Sequence, residues 1–271
     1  MTSKPNKDKV YNFWNSASCG EDLYLDGISI DDYAKESETR YNLLGEFIYP
    51  LANFNRCSGL RILEIGVGLG ADHLLFAKYK AELFGIDLTP RSIEHTKRRL
   101  SQLNLHSNLK VGDAECLDFR ENFFDIVYSW GAIHHSPNVE KCVEEIFRVL
   151  KPGGSAKLMI YHKYSITGFM LYFRYAILGL QPWLSLNEIY SKYMESPGTQ
   201  AFTKQEVKNI FCKFHRLKVS SSLSHADLLS PYAGQRHKGK LLSIARFFWP
   251  RKLIKKFFPR AGIFLMIEAT K

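Results

Sequence analysis

The sequence contains no Cys-x-x-Cys pair. Its five cysteines, Cys19, Cys57, Cys116, Cys142 and Cys212, are odd in number and scattered, so neither a disulfide framework nor a zinc site is expected, and no metal is assigned. Long apolar runs are also missing. The most apolar stretch, residues 166–180, is broken by Arg174 and falls short of the ~20 residues that span a bilayer. The opening Met1-Thr2-Ser3-Lys4-Pro5-Asn6-Lys7-Asp8 lacks the apolar core of a signal peptide. There is no internal repeat and no low-complexity tract. These absences lead us to expect a cytoplasmic protein with reduced thiols. Acids are absent between Arg236 and Arg260, where Lys238, Lys240, Arg246, Arg251, Lys252, Lys255 and Lys256 also lie; this accounts for most of the net charge of +10. Such a segment is either a solvated helical face or a contact for an anionic partner: lipid headgroups, nucleic acid or an acidic substrate.

What is present is an ordinary globular composition, 271 residues with 45% hydrophobic and 24% charged, enough to bury a large core. The stretch Arg61-Ile62-Leu63-Glu64-Ile65-Gly66-Val67-Gly68-Leu69-Gly70 organises the rest. Apolar residues around one carboxylate run into three alternate glycines, the pattern of a buried strand ending in a turn that lets backbone approach a ligand. Strand-like runs recur at residues 83–87, 109–115, 124–130, 156–161, 217–223 and 263–269. Helical patterns lie after Gly70 and over 90–103, 139–150 and 204–214. Thr89 and Thr203 are expected caps, Pro90 a first-turn residue, and Lys151-Pro152-Gly153-Gly154 a helix stop. This alternation predicts an α/β fold: a doubly wound, mostly parallel sheet of seven strands with helices on both faces. Residues 1–55, aromatic at first and helical over 30–54, read as an N-terminal helical cover. Residues 56–271 read as the main domain, with an aromatic insertion at 163–200 after the fifth strand and a basic one at 230–261 after the sixth.

In such a sheet the ligand lies beyond the carboxyl ends of the strands, at the switch point. The turn spaces its glycines G-x-G-x-G rather than G-x-G-x-x-G, and Glu64 beside it would repel a pyrophosphate but help hold a cation. Asp87, ending the second strand, can accept from both hydroxyls of a ribose. Asp113, Ala114 and Glu115 end the third, where an adenine would lie. Together these acids suit S-adenosylmethionine, which carries a sulfonium and an ammonium.

At these positions the chain resembles the class I S-adenosylmethionine-dependent methyltransferases, whose sheet is Rossmann-like. The Glu64-x-Gly66-x-Gly68-x-Gly70 turn, Asp87 and Gly112-Asp113-Ala114-Glu115 look like its cofactor motifs. Phe124-Asp125-Ile126-Val127, His134-His135 and Arg148-Val149-Leu150-Lys151-Pro152-Gly153-Gly154 are similar to the branch with quinone-biosynthesis C-methyltransferases and small-molecule methyltransferases. The resemblance implies S-adenosyl-L-methionine as cofactor and methyl transfer to the O, N or C of a small molecule, whether a natural product, a saccharide or a lipid-linked intermediate. It adds Leu88, Ser129 and Trp130 to the cofactor residues, together with Tyr11, Trp14 and Tyr41 of the cover, whose aromatic faces can stabilise a sulfonium.

Methyl transfer from a sulfonium needs alignment above all. A hydroxyl, phenol or ammonium acceptor also needs a base, for which His134, His135, Tyr161 and His162 are the candidates. Alternatives remain. The basic segment would suit a nucleic-acid (RNA) methyltransferase, although Ser129-Trp130-Gly131 stands where base-amine enzymes resemble one another in Asn/Asp-Pro-Pro-aromatic. A non-catalytic S-adenosylmethionine-binding protein is another. The same segment, residues 236–260, with Phe247-Phe248-Trp249 and Phe257-Phe258, would also suit an anionic membrane surface met peripherally.

Overall fold

The structure, a computed structural model, describes residues 6–230 and 240–271. Arg236 and Lys238 of the basic segment lie outside the described residues. The N-terminal cover folds as α1 (Lys7–Ser16), α2 (Glu21–Tyr24) and α3 (Ile30–Ala52). Ser29 caps α3 with a reciprocal Ser29–Asp32 capping box, which satisfies donors that a helix start leaves open.

Strand and helix then alternate as β1 (Arg61–Ile65), α4 (Ala71–Lys78), β2 (Glu82–Asp87), α5 (Pro90–Ser101), β3 (Asn108–Val111), β4 (Phe124–Trp130), α6 (Val139–Val149) and β5 (Leu150–Tyr161). The insertion after β5 forms α7 (Ile166–Tyr172), a π-helical turn (Phe173–Ile177) and α8 (Leu186–Tyr193). After it come α9 (Lys204–Ile210), β6 (Arg216–Ser222), α10 (Lys240–Phe248), α11 (Arg251–Phe257) and β7 (Phe264–Thr270). Thr89 caps α5 with Pro90 in its first turn, and Thr203 caps α9, as expected.

The seven strands form one sheet in the order β3-β2-β1-β4-β5-β7-β6. Pairs among β1 to β5 are parallel, whereas β7 runs antiparallel to β5 and β6. Alternate residues of each central strand serve opposite faces. Leu63, Ile65, Val127, Leu158 and Ile160 join one core with Val143, Ile146 and Val207. Ile62, Ile126, Tyr128, Met159 and Tyr161 join the other with Ile48, Leu51, Phe76 and Tyr190.

The helix stops ahead of Lys151 to Gly154 as expected, but the fifth strand starts at Leu150, earlier than the expected 156. The helix ends at Val149, and the Lys-Pro-Gly-Gly run is the bulged start of β5, with a register shift against β4 between Phe124 and Ile126. A Cβ on Gly154 would crowd the carbonyls of Lys151, Asp125 and Phe124. The glycine therefore serves close strand packing as well. The third strand also ends earlier, at Val111, which leaves Asp113, Ala114 and Glu115 in a loop.

Candidate active site

Glycines at the end of β1 open a cleft of about 420 Å³ above the carboxyl ends of β1, β2 and β4. Gly66, Gly68 and Gly70 all adopt positive φ, backbone that disfavours other residues. At Gly66 an added Cβ would overlap that of Ala132, while at Gly68 it would meet nothing within 4 Å. Gly66 is therefore held to glycine by packing, and Gly68 by the backbone angle, with open space left for a ligand.

Of the expected cofactor residues, Trp14, Glu64, Gly66, Gly68, Gly70, Asp87, Leu88, Asp113, Ala114 and Trp130 line this one cleft. Tyr11, Tyr41, Glu115 and Ser129 do not. Ser129 is buried and donates to the Ile65 carbonyl at 2.9 Å. The Tyr41 hydroxyl donates to Asp72 at 3.0 Å, and its ring stacks on Tyr49. Glu115 accepts from Lys7, Ser136 and the Asn138 amide.

Asp87 accepts from the Gly68 amide at 3.2 Å through one oxygen and from the Thr89 amide and hydroxyl at 3.0 and 2.9 Å through the other. Burial raises its pKa above the ordinary range even against these donors. Lys7, from α1, spans Asp113 at 2.6 Å and Glu115 at 2.9 Å, so the cover is tied to the far end of the cleft.

Glu64 is buried, and its Oε2 lies 2.8 Å from His73 Nδ1. The polarity of this contact follows from its far end. Ser107 Oγ donates its one proton to the Leu83 carbonyl at 2.8 Å, so it accepts from His73 Nε2, also at 2.8 Å. With Nε2 protonated, the 2.8 Å contact at Nδ1 is held by a second proton shared between ring and carboxyl. Burial, then the Asp72 charge, raises Glu64 well above the ordinary range, and burial lowers His73 to about 3. The proton therefore rests on Glu64.

Beside it, Arg40 grips Asp72 with two hydrogen bonds of 3.1 and 2.7 Å, and the Tyr41 and Tyr128 hydroxyls donate to the same carboxylate. Burial pulls Asp72 upward, but the Arg40 charge and these donors outweigh it and hold its pKa below the ordinary value. Arg40 and Asp72 both face the cleft.

At the other end, Trp130, His135, Met159, Tyr161, Met194, Glu195 and Phe264 form the wall. Tyr161 donates to Glu195 Oε2 at 2.8 Å, and His135 Nε2 lies 3.5 Å from the same oxygen. Trp14 sits edge-on to His135. The base candidates thus separate. His135 and Tyr161 face the cleft. His134 and His162 do not, and His134 is fully buried between the His135 and Tyr161 rings with neither nitrogen partnered. Burial, then the neighbouring His135, drives its protonation well below the ordinary range. His162 contacts the Gly262 carbonyl at 3.2 Å. His134, His135 and Glu195 also bring donor atoms within 4.8 Å of one another, although the full burial of His134 removes it from the cleft.

Lys7, Arg40, Asp72, His73 and Glu195 were missed in the sequence. Asp72 and His73 carried a signal, two polar residues opening an otherwise apolar helix. Glu195 carried none, because only the fold of the insertion brings it to β5.

Residues 63–158 match the family model described as a methyltransferase domain. A sterol 4-C-methyltransferase of Caenorhabditis elegans is 33% identical over 101 residues, 36% of this chain and 30% of that protein. A phosphoethanolamine N-methyltransferase of Triticum aestivum is 25% identical over 177 residues, 59% of this chain and 35% of that protein. The chain thus spans about a third of the length of these two curated relatives. Among solved structures, phosphoethanolamine N-methyltransferase 2 of Haemonchus contortus, in complex with phosphomonomethylethanolamine and S-adenosylhomocysteine, superposes with a TM-score of 0.56 at 20% identity, over 90% of this chain and 60% of that one. The fold is that of the class I methyltransferases.

Proposed function

We propose that this chain, built on a class I methyltransferase domain, transfers the methyl group of S-adenosyl-L-methionine to the O, N or C of a small molecule with an apolar body. The observation that carries this reading is one cleft with two chemically distinct ends. One end has the open Gly68 turn, Asp87 for a ribose, and Glu64 and Arg40 for an ammonium and a carboxylate. The other has an apolar wall broken by His135, Tyr161 and Glu195.

A sulfonium carries its own leaving group, so holding donor and acceptor in line supplies much of the acceleration. His135 is the one cleft-facing histidine of the pair, and Glu195 beside it stabilises the imidazolium that forms when it takes a proton from an oxygen or nitrogen acceptor. Tyr161 keeps Glu195 in place. Glu64 meets the ammonium as a carboxylate by passing its proton to His73, which needs no proton from solvent. An acceptor with an apolar body also fits the second partner we assign, an anionic membrane surface met through residues 236–260.

The test is calorimetric cofactor binding beside product formation. Asp87→Ala is expected to abolish binding. Glu195→Gln should bind normally and turn over 10²-fold or more slowly, the scale of general-base assistance. Normal binding by Asp87→Ala would refute the cofactor end, and normal turnover by Glu195→Gln would refute the acceptor end.

A further inference from the structure

Large apolar side chains that face solvent are concentrated in two places. Thirteen of the nineteen among the described residues lie in the insertion that follows β5, in α10 and α11, or at Phe258, which follows α11 directly. They include Leu180 (81% exposed), Trp183 (75%), Phe247 (82%) and Phe248 (75%). Monomeric soluble proteins rarely leave such groups together in water, and where they do the surface is usually an interaction site. The parts that carry these side chains lack acids: none occurs in residues 163–187 or 228–267. Both carry cations, Arg174 in the first and Arg246, Arg251, Lys252, Lys255, Lys256 and Arg260 in the second.

The two insertions are also rooted together. Asp227, fully buried, accepts from the Thr167 amide and hydroxyl at the start of α7, from the Ser224 amide and hydroxyl after β6, and from the Ile263 amide before β7, all at 2.8–3.0 Å. The Ile166 amide donates to the Ala261 carbonyl at 2.9 Å. The Trp249 indole donates to the Asp227 carbonyl at 3.0 Å. This root is at the cleft, since Ser224, His225, Ala226, Ile263 and Phe264 line it.

We propose that the two insertions form one surface that lies on an anionic lipid bilayer, with the cleft opening beside it. Short helices with Phe, Leu and Ile interleaved with Lys and Arg are the chemistry of the membrane interface, where apolar rings enter the acyl boundary and long cationic side chains reach the phosphates. A protein partner fits less well, since lysine is depleted from protein interfaces. No described helix is long and apolar enough to cross a membrane, so these helices lie on it. The insertion after β5 turns four of its eight aromatics outward, Tyr164, Phe169, Phe173 and Trp183, and gives the cleft Met194 and Glu195. That the bilayer also delivers the acceptor rests on the methyl-transfer reading; binding to the bilayer does not.

The test is co-sedimentation of the full chain with phosphatidylcholine vesicles, with and without phosphatidylserine. Binding is expected only with phosphatidylserine and should weaken as salt rises. The double variant Lys252→Glu/Lys255→Glu should lower it by on the order of tenfold or more. Phe247→Ser/Phe248→Ser and Leu180→Ser/Trp183→Ser should each lower it too, while every variant keeps wild-type cofactor affinity or, if the chain binds no cofactor, its wild-type unfolding transition. Absence of wild-type sedimentation at low salt would overturn the proposal. So would binding indifferent to these variants, or retention on RNA without retention on vesicles. Vesicle binding is scored without turnover, so failure of the methyl-transfer reading leaves this result standing.

Discussion

His134 is the residue at which sequence and structure part most clearly. As one of a histidine pair in the loop after β4 it reads as a base, yet its ring is fully buried and its nitrogens lack partners. A base must reach its proton, so this ring is better placed to pack between His135 and Tyr161 than to titrate. It leaves a signature in stability. The unfolded chain protonates His134 as pH falls through its ordinary value of 6.5, whereas the folded chain resists to well below that. Stability is therefore lost as pH drops. Glu64 and His73 do not add to this slope between 4.5 and 6.5, their ordinary values. Folded, the pair holds Nε2–H and one shared proton. Unfolded in that window it holds an imidazolium and a carboxylate, the same number. His134→Phe keeps the ring stacking and removes the titration. Between pH 7 and 5 the variant is expected to lose about 2 kcal/mol less than the wild type in denaturant unfolding, and equal losses would place the histidine in contact with water. Glu64 was legible as the acid of the turn, but not its coupling to His73. That depends on α4 folding back over β1 and on Ser107 from the loop before β3.

At the scale of elements, what was legible followed from local chemistry. The apolar run of β4 and the caps at Thr89 and Thr203 lie where their residues put them. What was not legible is where tertiary pairing carries a strand through residues that locally read as a stop. The clearest case is Lys-Pro-Gly-Gly, where the Gly153 amide donates to the Lys271 carbonyl at 2.9 Å; that partner lies at the far end of the chain. Asp227 was also out of reach of local reasoning, because its five donors come from residues up to 60 positions away. It holds the starts of both insertions, so its removal should act on them first. Asp227→Ala leaves three buried backbone amides and two hydroxyls without that acceptor. The expected cost is on the order of 3–5 kcal/mol, the range for breaking a buried charged network. Hydrogen exchange should rise around Thr167 and Ile263 before it rises in β1 or β4. Uniform loss of protection across the sheet would show that Asp227 supports the whole domain instead.

Over the whole molecule, the cleft is closed from one side by the N-terminal cover, which contributes Lys7, Val10, Trp14, Leu23, Tyr24 and Arg40 to its wall. We expect a ligand with the bulk of a nucleoside to enter by displacing part of that cover, and the ties show which part. Arg99 binds Glu36 at 2.8 Å with both side chains almost fully buried, and also takes the Leu69 and Tyr33 carbonyls. Breaking such a buried pair is costly, so α3 stays. The ion pairs of α1 and α2 are Lys7 with Asp113 and Glu115, and Glu21 with Arg91 and His95, in which Lys7 is 37% and Arg91 42% exposed; a single Ser18–Ser92 hydrogen bond of 2.9 Å lies between the two helices. Pairs this open to solvent contribute little each, so α1 and α2 form the moving flap. Bound S-adenosylhomocysteine, as a probe, should therefore slow hydrogen exchange across residues 7–24 and leave α3 nearly unchanged. Lys7→Gln should weaken its binding only a few-fold, mostly through a faster off-rate in stopped-flow, because the two ion pairs lost share one partly exposed lysine. Equal protection of α3 and α1 would mean the cover moves as one body. The Arg99–Glu36 pair would then break in each binding cycle, against the cost its burial implies.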